Sequence, residues 1–595
     1  MIRPESSLQS KGPATGSTRA ARSTRSNGAT RATRSTFAKI ASATIATAAV
    51  LGFLTGCASI PSKGTVQLGP DIAENSTSDF LYFSPYEPPI GGTINDIMSG
   101  FLSAGTGPQN DYAVAREYLA NNLKTTWLPN ERVVVVDTSP EITIDSVGNT
   151  ASVKIHASAF IDNAGRLTLA SSAATDNYEY KLVKEINEWR ITEAPNLTIV
   201  SRPVFDVVFK DYSLYFFDAQ RRYLVPDTRW FPSRASTATR LVNGLIAGPD
   251  VWLEGAAINV IPAGTRLAID AVTISDGVAA IDFNSKFLSV TPQVRGQIKA
   301  QIEATLSQIS GVHAVQISVD RNIQDISNFS AWSLPSVAIA PVVQTKSSLA
   351  RLSGATLTPV TGTKTLVDNF NPTDFALTNN NAWVAVNTSQ GLYQASLVSF
   401  GIEPKLVDSR PGLLPPFFDR QGWLWSINHG ASPTIKVFNQ TSTMRLPEST
   451  AFEGERILSF AISPEGARLA VVTAEGSSNS IWLYGILRDK SGAPKALTGA
   501  LRVPSSLANV EQVSWLDGTS LGVLGKNAND WDQPTILTVG GFASDLTSVD
   551  GLAAFVGGHS LDSRFALTKG GELLQYRGST WSRVASDVVR VHFAN

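Results

Sequence analysis

The chain has 595 residues, with 49 lysines and arginines against 50 aspartates and glutamates, five histidines and a single cysteine, Cys57. One thiol excludes a disulfide framework and any multi-thiolate metal site, and the balance of charge, which becomes acidic once the basic first segment is set aside, gives no support for nucleic-acid binding. A hydrophobic fraction of 43% is enough for ordinary cores, and the length asks for three or four of them.

The first segment is rich in Ser, Thr, Ala, Gly and Arg. Arg3, Lys11, Arg19, Arg22, Arg25, Arg31, Arg34 and Lys39 are opposed only by Glu5, and an uncharged apolar run from Ile40 to Leu54 follows. As a helix at ~1.5 Å per residue that run reaches about 22 Å, short of the ~30 Å hydrocarbon core of a bilayer. Basic, then apolar, then small predicts a cleaved secretory signal peptide over residues 1–56. No two arginines are adjacent in it, which favours general (Sec) export over the twin-arginine route. Leu54-Thr55-Gly56-Cys57 resembles the bacterial lipobox. That resemblance implies cleavage between Gly56 and Cys57, acylation of the Cys57 thiol, and a chain anchored on the extracytoplasmic face of the cell membrane. More than one acyl chain, at ~0.8 kcal/mol per buried methylene, makes such attachment lasting. Removing eight basic residues and one acidic one leaves 41 against 49, a net charge of about −8 over the remaining 539 residues. Residues 57–89, carrying Pro61, Pro70, Pro85, Pro88 and Pro89, read as a tether.

Residues 90–200 form the first expected domain. Ile94, Ile97, Met98, Phe101 and Leu102 recur at helical spacing behind a Thr93 cap, with Gly105 past the end, and a second helix is expected over Asp111–Leu119. Extended runs follow at Val133–Val136, Ala151–Phe160, Arg166–Ala170, Tyr178–Ile186 and Trp189-Arg190-Ile191. Helices followed by a curved sheet resemble the α+β cone of the nuclear-transport-factor-like superfamily, with Trp189 and Phe160 expected to fill it.

Residues 205–325 change to strand, helix, strands, helix, strand: a strand at Leu214–Phe217, a helix at Ala235–Ala247 stopped by Gly248-Pro249, and a strand at Arg266–Ile274. That strand turns through Asp276-Gly277 into Val278–Phe283. Thr291-Pro292 opens a helix bearing Ile298, Ile302, Leu306 and Ile309, and Val315–Val319 closes the sheet. Leu245-Ile246-Ala247-Gly248-Pro249, Ile261-Pro262-Ala263-Gly264-Thr265, Ile281-Asp282-Phe283 and Val315–Asp320 in this order resemble the GerMN domain of sporulation and envelope proteins.

Over residues 335–595 helical signals give way to short β runs: Ala382–Val386, Trp423–Ile427, Arg468–Val472, Ile481–Tyr484, Ser520–Leu524, Thr535–Val539, Arg564–Leu567 and Glu572–Tyr576. Gly422, Gly466, Gly518 and Gly570 each precede a strand at separations of 44, 52 and 52, near the period of a propeller blade plus loop insertions. About 250 residues at that period fit an all-β propeller of five or six blades; a two-sheet sandwich is the alternative. A tether near Pro335 and Pro341 predicts that few contacts cross, so that this region folds alone.

Lipobox, α+β domain, GerMN-like landmarks and β-rich end together resemble the LpqB family of actinobacterial lipoproteins. The resemblance implies a lipoprotein that works with the MtrAB two-component system, contacting the extracellular domain of its sensor histidine kinase. It leaves room for contact with the cell wall.

The residues point to no cofactor and no enzymatic centre. His156, His313, His429, His559 and His592 are scattered, none with a metal-ligand partner at i+4. Gly518-Thr519-Ser520-Leu521-Gly522 spells a nucleophile-elbow pattern, but β runs lie on both sides where that elbow needs a following helix. Asp282 reads as an edge-strand carboxylate, Arg221-Arg222 as a solvated loop, and Trp423 with Trp425 as blade packing. The alternative to a protein-binding lipoprotein is an envelope glycan binder or hydrolase using the propeller channel, which carboxylates clustered around that channel would favour.

Overall fold

The computed structural model describes residues 85–170, 175–329 and 333–594, with short breaks at 335–337, 339, 400–402, 431–432, 442, 446–451, 453, 477 and 559. The leader, Gly56, Cys57 and all but the last five residues of the expected tether lie outside them. So does His559.

The first helix, Ile94–Ala104, opens on a capping box: the Thr93 hydroxyl accepts from the Asp96 N–H and the Asp96 carboxylate accepts from the Thr93 N–H. The second is shorter than its pattern predicts. Asn110, Asp111 and Tyr112 all have φ between +47° and +60°, so only Ala113–Glu117 is helical. The sheet is built on Thr150–Asp162, which pairs with Arg132–Val136 and Thr175–Glu185; Glu188–Glu193 extends it on one side and Thr198–Ser201, parallel to Arg132–Val136, on the other. Glu141–Asp145 and Leu167–Leu169 also pair with the long strand. Phe101, Trp127 and Tyr180 fill the space between helix and sheet, with ring centroids 5.2 and 6.1 Å from Phe101. Trp189 and Phe160, expected there, are instead half-buried at its margin beneath Lys184 and Arg132.

In the second domain Phe209–Asp218 pairs with Leu224–Pro232, a strand that the sequence did not announce. A second sheet joins Thr273–Ser275, Val278–Phe283, Ala314–Val319 and Asn322–Ile323. Its two central strands are parallel, so the Pro292–Leu306 helix, capped by Thr291, is a crossover. The strand expected over Arg266–Ile274 is confined to Thr273–Ser275, with Leu267 making one bridge to Phe283. Asp276 and Gly277 take φ of +50° and +74°, the hairpin geometry their types favour.

Among the described residues the third domain forms six four-stranded antiparallel sheets. All eight expected strands are present, each as the second or third strand of its sheet. The first strands of sheets two to six are Asp374–Leu377, Phe417–Phe418, Arg456–Ile462, Asn509–Trp515 and Leu552–Gly557, each lying against the next. Sheet one is completed from the other end of the domain: Arg590–His592 pairs with Val342–Gln344 and lies against both Asp374–Leu377 and Leu552–Gly557. The cycle therefore closes on itself, and the inner edge strand of each sheet is covered by its neighbours. Gly422, Gly466 and Gly518 occupy the turn between first and second strands, whereas Gly570 sits between second and third and is out of phase. The phase is carried by a side-chain oxygen that accepts a backbone N–H in that turn: Thr378 from Trp383, Asp419 from Trp423, Ser463 from Arg468, and Asp517 from Ser520.

The expectation that few contacts cross into this domain is overturned. Ala461, Val472, Leu483, Trp515 and Val523 of the propeller share one hydrophobic cluster with Leu214, Phe216, Leu241, Ile281 and Ile298 of the second domain.

Two carboxylates clip neighbouring sheets. Asp408, in the last strand of sheet two (Lys405–Asp408), accepts from Ser426 (2.8 Å) and Lys436 (3.3 Å) of sheet three and from Arg410 (2.6 Å). Asp532 of sheet five accepts from the Leu552 N–H of sheet six at 2.9 Å. Burial alone would push both carboxyls up; Arg410 and Ser426 hold Asp408 below the usual range, and Lys526 with the Leu552 amide does so for Asp532. A lowered folded-state value stabilises above the unfolded value of about 4 and is lost as pH falls through the folded one. Denaturant unfolding of the wild-type chain should therefore lose stability progressively below about pH 4. An Asp408→Asn/Asp532→Asn double variant should be weaker at pH 7 and flatter in acid.

Candidate functional site

The three domains meet at an aromatic cluster. Ser201-Arg202-Pro203 opens the short helix Arg202–Val208, which with the strand entry places Phe205 and Phe209 four apart and stacked at 4.9 Å. Phe205 also lies 5.1 Å from Trp230 and 5.6 Å from Phe542, whose own centroids are 5.9 Å apart. The Arg202 guanidinium covers Phe542 at 3.4 Å, and Val133, Ala159 and Ile161 of the first domain pack beneath. Trp230 Nε1 donates to the Gly540 carbonyl at 2.8 Å, and its backbone N–H donates to the Gly165 carbonyl at 2.7 Å, so one residue ties all three domains. Along Leu224–Pro232 the alternate residues Pro226, Thr228 and Trp230 approach Gly518, Gly540 and Gly541 of the propeller. Opposite them Val225 and Phe231 enter the second domain's core, beside a buried Asp227–Arg229 ion pair of 2.5 Å. A second dock lies on sheet four, where Trp252 and Ala256 pack against Gly485 and Gly499. Any Cβ at Gly499 would collide with the Trp252 backbone, and its φ is +57°.

Inside the ring of sheets lies a cavity of about 460 Å³. Phe375, Phe417, Phe460 and Trp515 form much of its wall, and its polar residues include Asp374, Glu511, Gln512, Arg590 and His592. Asp374 is held by the closing strand: His592 Nε2 lies 2.6 Å from Oδ1 and Arg590 Nε 3.2 Å from Oδ2. Gln512 accepts the Phe555 N–H at 2.8 Å. A two-carboxylate hydrolase needs both carboxylates turned to the substrate. Here one of the pair, Asp374, is a clasp, leaving Glu511 as the other carboxylate in the lining.

The remaining residues singled out from the sequence are held structurally. Asp282 accepts from the Ser318 hydroxyl and the Arg321 N–H, both at 2.9 Å, and so fixes a turn. Arg221 donates to Gln297 at 3.0 Å, and the Arg222 N–H to Asp218. Trp425 is buried among the packing of sheets three and four and donates to Asp419 at 2.9 Å. Ser520 begins a strand, so no elbow helix follows it. His156 pairs with Thr175, and His313 lies against Gly277. Among the described residues no group of three His, Cys, Asp or Glu side chains is placed to hold a metal, and no helix is long and apolar enough to cross a membrane. Cys57 and Gly56, the expected modification site, lie outside these residues.

Family models agree with this architecture. The lipoprotein LpqB N-terminal domain matches residues 87–206, the sporulation and spore germination (Germane) domain residues 213–324, and the lipoprotein LpqB β-propeller domain residues 347–591. The chain belongs to the LpqB lipoprotein family. Curated relatives in that family include the lipoprotein LpqB of Cutibacterium acnes, 24% identical over 80% of this chain and 85% of the relative. Lipoprotein LpqB of Streptomyces avermitilis is 23% identical over 90% and 95%. Among solved structures, the first GerMN domain of the sporulation protein GerM from Bacillus subtilis is 25% identical over 19% of this chain and 86% of that one, with a TM-score of 0.17.

The motifs noted from sequence missed the junction, because its residues come from three domains and carry no catalytic pattern. Its one signal was Trp230-Phe231 between two prolines. Trp230→Ala removes a hydrogen bond and the centre of the aromatic cluster, and large-to-small changes of this kind cost about 3–5 kcal/mol. The variant should show a lower unfolding midpoint and faster proteolytic cleavage at the domain junction than the wild-type chain.

Proposed function

We propose that this LpqB-family lipoprotein is anchored through an acylated Cys57 on the extracytoplasmic face of the cell membrane and modulates the sensor kinase of an MtrAB-type two-component system by docking on its outward domain. The observation that carries the reading is the continuous core joining the second domain to the propeller, fastened to the first at Trp230. A rigid multidomain body passes the free energy of a contact on one domain to the orientation of the others, as an accessory protein requires and a flexible string of domains does not. Within this reading the first domain is a nuclear-transport-factor-like cone and the third a six-bladed propeller closed by its C-terminal strand.

The mechanism is thermodynamic. Anchoring confines the protein near its receptor and raises the effective concentration toward the millimolar range, so a contact of ~10 μM, about 7 kcal/mol, is well occupied. Docking that favours one receptor conformation shifts the signalling equilibrium by the difference in affinity between the two states.

Cys57→Ser should abolish incorporation of labelled fatty acid, since a hydroxyl does not replace the thiol in acyl transfer and the sequence holds no second thiol. Loss of the protein should change phosphorylation of the response regulator, and a secreted unlipidated copy at native expression should restore little of it. Full restoration without binding to the sensor domain would favour an envelope enzyme or glycan binder instead.

A further inference from the structure

Three turns at one end of the first domain each carry an aliphatic side chain in almost full exposure: Ile90 at 96%, Val147 at 95% and Ile186 at 99%. Exposed aliphatics are common singly, but here all three stand on turn tips, where short polar residues or glycine ordinarily sit. Ile186 is the sharpest case. It occupies the hairpin between Thr175–Glu185 and Glu188–Glu193 with φ of +51°, followed by Asn187 at +69°, a conformation that disfavours a β-branched residue at a position normally given to Asn, Asp or Gly. Neither packing nor backbone geometry rewards an isoleucine there, so the outlier points to use of the side chain outside the domain.

The tips belong together. The Gly91 N–H, next to Ile90, donates to both carboxylate oxygens of Glu188, at 3.1 and 3.0 Å, which fastens the Ile90 turn to the Ile186 hairpin. Val147 caps the hairpin between Glu141–Asp145 and Thr150–Asp162. Thr150 there is paired with Lys181 and the Asn149 carbonyl accepts the Leu182 N–H, one strand away from the Ile186 tip. Behind Ile186 the Lys184 ammonium lies 5.2 Å from the centre of the Trp189 ring, both at the surface. Lysine over tryptophan suits a headgroup layer, where an indole has one apolar and one wet side and a long cation reaches upward. The nearby carboxylates Glu185 and Glu188 are engaged by the backbone amides of Asn121 and Gly91.

We propose that this end of the first domain lies on the outer leaflet of the membrane, with Ile90, Val147 and Ile186 inserted into the interface. The proposal rests on the reading of Cys57 as the lipid anchor. Pro85 stands only 28 positions beyond Cys57, a span that cannot exceed roughly 100 Å fully extended, and the chain continues from Pro85 into the Ile90 turn. Three separate convex points, rather than a groove or a flat face, fit a fluid partner better than a shaped one. Insertion at three points would set the orientation in which the propeller is presented.

The test uses the lipidated full-length protein, in which the Cys57 sulfur is consumed as a thioether and any introduced thiol is unique. Ile186→Cys, Val147→Cys and, as a control on the propeller domain, Val398→Cys are each labelled with an environment-sensitive fluorophore and reconstituted on phosphatidylcholine/phosphatidylglycerol vesicles. Labels at 186 and 147 should shift to the blue and be quenched by a lipid-borne quencher, and the label at 398 should not. If the protein floats with the vesicles but the labels at 186 and 147 behave like the one at 398, the insertion proposal is overturned while the anchor stands. A tip label that ignores the lipid quencher and is shielded only by an added sensor domain overturns it in favour of a protein contact. If the protein does not float with the vesicles, the anchor reading fails and takes the proposal with it.

Discussion

The packing of Trp230 against Phe205 and Phe542, with Phe209 stacked behind Phe205, is the contact on which the arrangement of the three domains depends. It joins residues of the second domain to Phe542, more than 300 residues further along the sequence, and is reinforced by hydrogen bonds to Gly165 on one side and Gly540 on the other. Aromatic pairs contribute about 0.5–1.5 kcal/mol each beyond their buried area. A cluster of four rings is therefore comparable with a sizeable part of the stability of a small domain. Because Leu224–Pro232 has its own domain's core on one face and the propeller on the other, displacing the propeller would expose that strand and the hydrophobic cluster behind it. Domain separation is then coupled to loss of local structure.

The propeller depends on a second constraint, its closure. The innermost strand of sheet one comes from the C-terminus, and Asp374 clasps it through Arg590 and His592. This explains the mixed character of the central cavity. Asp374, Arg590 and His592 of its polar lining close the ring, and Phe375, Phe417, Phe460 and Trp515 form much of its wall. A channel organised in this way can still admit a small molecule, but the carboxylate that would have suggested catalysis has a structural duty.

Much of this was legible in the sequence, for identifiable reasons. Thr93 and Asp96, Thr291 and Pro292, and Asp276-Gly277 are local signals whose physics acts within four residues, and each produced the element it predicts. The eight propeller strands recognised are all central ones, most of them largely buried, with apolar runs such as Leu424–Ile427 and Ser520–Lys526. Leu224–Pro232 went unread because Pro226, Asp227, Arg229 and Pro232 contradict a strand. The structure resolves each one: the prolines meet no ladder demand they cannot satisfy, and Asp227 and Arg229 neutralise one another inside the core. Gly570 misled because any tight hairpin favours glycine, whichever pair of strands it joins. The supposed independence of the propeller rested on prolines in a linker, which report on the chain's path and not on what the domains bury together.

The central claim is that the second domain and the propeller form one cooperative unit. Differential scanning calorimetry of the secreted Cys57→Ser chain tests it most directly. The account predicts that these two domains unfold in a single transition whose calorimetric and van't Hoff enthalpies agree, and that a fragment of residues 341–595 melts well below it. Two separate transitions, with the isolated fragment melting at the temperature it shows within the full chain, would contradict it.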